Sequence, residues 1–133
     1  MIGKISHIGI AVNSIEEAAR LYTDVLGLKV SGIEVIEDRK AKIAMIPVGE
    51  SNIELVEPTD PEGPIAKYIE GRGEGLHHIA LEVSDIEGAL ETLRKQGIAL
   101  LDEKPTIGAC GHKIAFLHPK STKVLIELTE LRK

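Results

Sequence analysis

The sequence predicts an α+β fold built from two tandem βαβββ modules, and three observations predict it. The first is an internal repeat. His7 falls on His78, Ile8 on Ile79, Val12 on Val83, Ile15 on Ile86, Glu16 on Glu87 and Ala18 on Ala89, all at one offset of 71 residues. The second is alternation. In Gly75-Leu76-His77-His78-Ile79-Ala80-Leu81-Glu82-Val83 the aliphatic Ile79, Leu81 and Val83 face away from His78, Ala80 and Glu82, the pattern of a half-buried strand. The third is a pair of helix starts at matching places, Ser14-Ile15-Glu16-Glu17 and Ser84-Asp85-Ile86-Glu87, each of capping-box form.

Each element follows from its own residues. The strand at Ile5–Val12 leads to a helix capped by Ser14, with Ile15, Ala18, Ala19, Tyr22, Val25 and Leu26 on one stripe and Gly27 at its end. A strand is expected at Leu28–Ile33, then a charged strand edge or loop at Glu34–Arg39, then paired strands at Lys42–Pro47 and Ile53–Glu57. Pro58-Thr59-Asp60-Pro61-Glu62-Gly63-Pro64 is dense in chain breakers and forms the seam, with a short helix at Ile65–Glu70. The second module repeats the order: the His78 strand, a helix capped by Ser84 or Asp85 and ended by Gly97, and strands at Ile98–Leu101, Lys113–Leu117 and Lys123–Leu128. The expected organisation is one domain, with modules at 1–58 and 75–133 joined by a connecting segment at 59–74.

Composition excludes several classes of function. A chain of 133 residues with 43% apolar content suits one packed globule. A net charge of −5 argues against nucleic acid, whose phosphates need a basic footprint. No apolar run approaches the roughly 20 residues of a membrane helix. The first strand begins within a few residues of the start, so no targeting segment is expected. One cysteine cannot form an internal disulfide, and with the rest this points to the cytoplasm.

The last strands of the modules also match, Ile53-Glu54-Leu55 against Ile126-Glu127-Leu128, with Glu57 against Glu130. Each module thus offers a histidine on its first strand and a glutamate on its last. His7, Glu54, His78 and Glu127 make a His₂Glu₂ set that suits one divalent first-row metal ion such as Co²⁺, Zn²⁺, Ni²⁺ or Mn²⁺, with the harder Mg²⁺ as a further alternative. Such a set leaves coordination positions open for water or substrate. Gly9 and Ala80, neighbours on the same strand faces, leave room for a ligand. Any one of these residues alone reads as a polar group on a solvated face, but the matched positions favour the metal. His77 reads as a supporting or packing histidine, and His112 and His118 have no repeat partners among the histidines.

These motifs, His7-Ile8-Gly9-Ile10-Ala11-Val12, Ile53-Glu54-Leu55-Val56-Glu57-Pro58, Gly75-Leu76-His77-His78-Ile79-Ala80 and His118-Pro119-Lys120-Ser121 followed by Val124-Leu125-Ile126-Glu127-Leu128, resemble the vicinal oxygen chelate (glyoxalase-like) superfamily. Within it the chain is similar to the methylmalonyl-CoA epimerase family over nearly its full length. The resemblance implies a cupped mixed sheet with a metal between the modules. It also implies interconversion of (2R)- and (2S)-methylmalonyl-CoA through C2 proton abstraction and reprotonation. Inversion needs a proton acceptor on one face and a donor on the other. Glu127 is the first candidate.

Some epimerases use a carboxylate on the strand where Lys42 stands here. Lys42, matching Lys113 in the repeat, is therefore the candidate second acid/base, a substrate-orienting residue, or a surface lysine. No acidic residue lies between Glu103 and Glu127. Lys113, His118 and Lys120 in that stretch are expected to receive the anionic part of an acyl-CoA. Cys110, in the same loop, has no assigned role. Alternatives are a glyoxalase I-like lyase acting on a glutathione hemithioacetal and a non-catalytic ligand-binding or resistance protein of the same fold. A homodimer is expected from the apolar edges of two open half-barrels.

Overall fold

In a computed structural model the structure describes residues 2–132. The chain divides into two compact units, Met1–His7 with His78–Lys133, and Ile8–His77. The division falls inside the first strand, β1 (Ile2–Ala11), and just before His78.

In the unit Ile8–His77, Ser14 caps α1 (Ile15–Arg20), its side chain accepting the Glu17 N–H at 3.2 Å as the capping box predicts. The helix continues as a π turn over Leu21–Val25 and ends at Gly27, whose φ of +75° is the left-handed conformation glycine adopts without strain. The strands here are β2 (Gly32–Ile36), β3 (Ala41–Val48) and β4 (Ser51–Pro58), in the order β2-β3-β4-β1. The strand expected at Leu28–Ile33 thus begins four residues later. Gly32 to Ile36 pair with Met45 to Ala41, so part of the stretch expected as edge or loop is paired strand. β3 and β4 form an antiparallel hairpin closed by the two residues Gly49 and Glu50, since Val48 pairs with Ser51. Leu55, Ala44 and Ile46 pack with Val12 and Ile15 in a core beneath α1. Helix α2 (Pro64–Arg72) carries proline in its first turn, where the missing N–H costs nothing.

In the other unit the order is β1-β5-β8-β7-β6, with β5 (Gly75–Val83), β6 (Thr106–Ile107), β7 (Lys113–Leu117) and β8 (Ile126–Glu130). β5 and β8 run parallel, whereas β6 with β7 and β7 with β8 run antiparallel, so this sheet is mixed. Asp85, not Ser84, caps α3 (Ile86–Lys95), accepting the Gly88 N–H at 3.1 Å. Val83, Ile86, Leu90, Ala115, Leu117 and Leu128 form the core under it. Two expected strands differ. Ile98–Leu101 contributes only an isolated bridge from Leu100 to Leu117. The strand expected at Lys123–Leu128 starts at Ile126, because His118 caps a short helix α4 (Pro119–Thr122) that ends at Lys123 with φ +70°. No helix among the described residues is long and apolar enough to cross a membrane.

The repeat extends to how each helix is anchored. The N–H of Ile15 donates to Glu57 Oε1 at 2.8 Å, and that of Ile86 donates to Glu130 Oε1 at 2.9 Å. A carboxylate on the last strand of each module thus meets the electropositive start of its helix. Glu57→Ala and Glu130→Ala are each expected to cost about 1.5–3 kcal/mol, the value of a hydrogen bond to a charged group. The check is a lower urea midpoint at unchanged m; an unchanged midpoint would contradict the anchoring role.

Candidate metal centre

Residues opposite one another in an antiparallel ladder share a face, and neighbours along a strand alternate. In β8, Leu128 points into the α3 core, so Glu127 and Thr129 point to the other face. The parallel pairing of Ala80 with Glu127 places the small Ala80 beside the carboxylate, with His78 two residues back on the same face of β5. His7, from the first part of β1, completes the group.

The three side chains converge. His7 Nε2 and His78 Nε2 are 3.1 Å apart, with the rings edge-to-face at 88°. Glu127 Oε2 lies 3.6 Å from His7 Nε2, and Glu127 Oε1 lies 3.4 Å from His78 Nε2. All three residues are buried, His7 at 6% exposure and His78 and Glu127 at 4%. The hydroxyl of Ser6 lies 3.2 Å from His7 Nδ1, which leaves Nε2 to face inward.

Two imidazole nitrogens in contact can share at most one proton between them, and a carboxylate faces both. Buried nitrogen and oxygen donors that converge in this way fit a divalent cation of the first transition row. His7, His78 and Glu127 could hold one.

Glu54 is equally buried, at 4% exposure, on β4. It pairs with Met45, so its face of the β3–β4 hairpin carries Ile43, Met45 and Val56. The same register places Lys42, the expected second acid/base. Lys42 pairs with Glu57 and shares the opposite face with Ala44 and Leu55, on the α1 side. Lys113 is placed by the same parity. It pairs with Glu130 on the face opposite Glu127 and Phe116, and its ammonium is 3.3 Å from Glu87 and 4.0 Å from Glu130.

His118 and Lys120 stay together, the N–H of Lys120 donating to His118 Nδ1 at 3.1 Å. His77 packs edge-on against Tyr68, with ring centroids 4.7 Å apart, and burial pushes its imidazole below the ordinary value. Cys110 is exposed with a φ of +59°. Phe116 escaped the sequence reading. It faces Glu127 across the β7–β8 ladder and stands edge-to-face with His78, centroids 5.9 Å apart at 87°. The signal available was its parity with Glu127, together with its being the chain's one phenylalanine.

Comparison with known proteins gives the family of the chain. Residues 6–116 match the family model of the glyoxalase/bleomycin resistance protein/dioxygenase superfamily. The chain is 40% identical over 97% of its length to an uncharacterized protein of Bacillus subtilis, covering 93% of it. It is 37% identical over 98% of its length to the ethylmalonyl-CoA/methylmalonyl-CoA epimerase of Cereibacter sphaeroides, covering all of that protein. A solved methylmalonyl-CoA epimerase in complex with methylmalonyl-CoA and ammonium superposes with a TM-score of 0.94 at 33% identity, over 98% of this chain and 95% of that one. With relatives this similar over nearly the full length of both chains, the protein belongs to the methylmalonyl-CoA epimerase family of the glyoxalase/bleomycin resistance protein/dioxygenase superfamily.

Proposed function

We propose that the protein epimerises methylmalonyl-CoA at C2 with one divalent metal ion, and that His7, His78, Glu127 and Glu54 hold that ion. The observation that carries this is the convergence of two imidazole Nε2 atoms and a carboxylate in a buried group, in a chain whose relatives include acyl-CoA epimerases. Glu54 joins the set as the repeat partner of Glu127, with the same burial.

A bound divalent cation supplies Lewis-acid stabilisation for the negative charge that develops when the C2 proton leaves. Glu127 takes or returns that proton, its buried position keeping water from competing. His118 and Lys120 suit the anionic end of the CoA, while Lys113 is committed to Glu87 and Glu130. The second proton route belongs to a group other than Lys42. Co²⁺ is the ion of first choice, the cytoplasm the expected setting, and a homodimer the expected assembly. The dimer draws support from the exposed Ile33 and Val35 on β2.

One observation favours a second reading. On the Glu54 face β3 presents Ile43 and Met45, and neither can carry a proton. Inversion needs groups on two sides of the carbon, whereas moving a proton between adjacent carbons, as in a glyoxalase-like isomerisation of a hemithioacetal, can use one carboxylate.

Deuterium uptake at C2 of methylmalonyl-CoA in D₂O tests the proposal. Co²⁺-loaded protein is expected to exchange with inversion and chelated protein to do neither. Exchange without inversion would favour the one-carboxylate reading, and no exchange would sink the epimerase. Glu127→Gln is expected to lower the rate by about 10²–10⁴, the contribution of a positioned general base. Lys42→Met should stay within about threefold of the parent, since its side chain lies on the α1 face. A loss near a hundredfold for Lys42→Met would return it to the chemistry.

A further inference from the structure

The chain has one phenylalanine, and it is not spent on the core beneath α3, where Ala115 and Leu117 flank it in sequence and point inward. Phe116 stands on the other face of β7, directly across from Glu127 and against the His78 ring. It is also held in place. Its N–H donates to Asp102 Oδ2 at 2.8 Å, and its carbonyl accepts from the N–H groups of Leu101 at 2.9 Å and Asp102 at 3.3 Å. These bonds fix the strand beneath the ring, the edge-to-face contact with His78 supports the ring itself, and unlike Glu127 or His78 it offers no hydrogen bond to a ligand. It is half-buried, so part of its surface is open to a bound molecule.

A group with these properties, beside the carboxylate that handles the C2 proton, bounds the space around that carbon. We propose that Phe116 is the wall that receives the 2-alkyl branch of an alkylmalonyl thioester and sets how large that branch can be. This rests on the epimerase reading above and deepens it. Apolar walls discriminate between alkyl groups one methylene apart by about 10–200-fold, which is the range such a residue controls.

The test compares wild type, Phe116→Leu and Phe116→Ala, all loaded with Co²⁺, on methylmalonyl-CoA and ethylmalonyl-CoA. The kcat/KM ratio of the ethyl to the methyl substrate is expected to rise at least about tenfold in Phe116→Ala and by an intermediate factor in Phe116→Leu. The Leu variant carries the test if the Ala variant does not fold. Equal losses on both substrates would overturn the assignment. So would a loss of Co²⁺ affinity at an unchanged ratio, which would make the ring a support for His78 only. A wild type inert towards both thioesters would overturn the epimerase reading. In that event calorimetric affinities for propionyl-CoA and butyryl-CoA still decide the wall, because enlarging it must favour butyryl-CoA and an unchanged preference would refute it.

Discussion

Strand parity is the constraint on which the rest of this structure depends. Successive side chains of a strand point to opposite faces, so one strand can pack a helix with one set of residues and present chemistry with the other. β8 does this within five residues. Leu128 is buried under α3 while Glu127 and Thr129 are buried on the far side. A buried carboxylate is costly to desolvate unless it has partners. His7 and His78 provide them at 3.6 and 3.4 Å. Moving β8 by one residue would put Glu127 into the aliphatic core and Leu128 against the histidines. The hydrophobic packing of α3 and the geometry of the site therefore fix one register between them.

The same parity separates two kinds of glutamate that look alike in the sequence. Glu54 and Glu127 follow an isoleucine and precede a leucine, and face away from α1 and α3 respectively. Glu57 and Glu130, three residues further on, have the opposite parity and receive the first N–H of α1 and α3. One pair is the one we propose for metal and proton chemistry, and the other locks each helix to its sheet. Lys113 belongs with the second group, shared between Glu87 and Glu130.

Much of this was legible in the sequence because periodicity and repetition are local signals. The histidine repeat, the cap at Ser14 and the alternation around His78 all describe features the structure contains. Lys42 and Lys113 depend on a signal that is not local. They match each other in the repeat, but their relation to the carboxylates depends on which residue of the neighbouring strand stands opposite, and register is a non-local property. The segment expected as a strand at Ile98–Leu101 keeps only the Leu100–Leu117 bridge, while Thr106 and Ile107 pair with Ile114 and Lys113 at the other end of β7. Phe116 was passed over because a lone phenyl between aliphatics reads as core; only its position opposite Glu127 sets it apart.

The central claim is that His7, His78 and Glu127 act together as ligands of one metal ion. X-ray absorption of the Co²⁺-loaded protein counts imidazoles at the metal directly, without any assay of turnover. The account predicts two histidines per cobalt in the wild type, one in His78→Ala, and oxygen for the remaining ligands. A spectrum fitted by oxygen alone, or one with sulfur from Cys110, would contradict it.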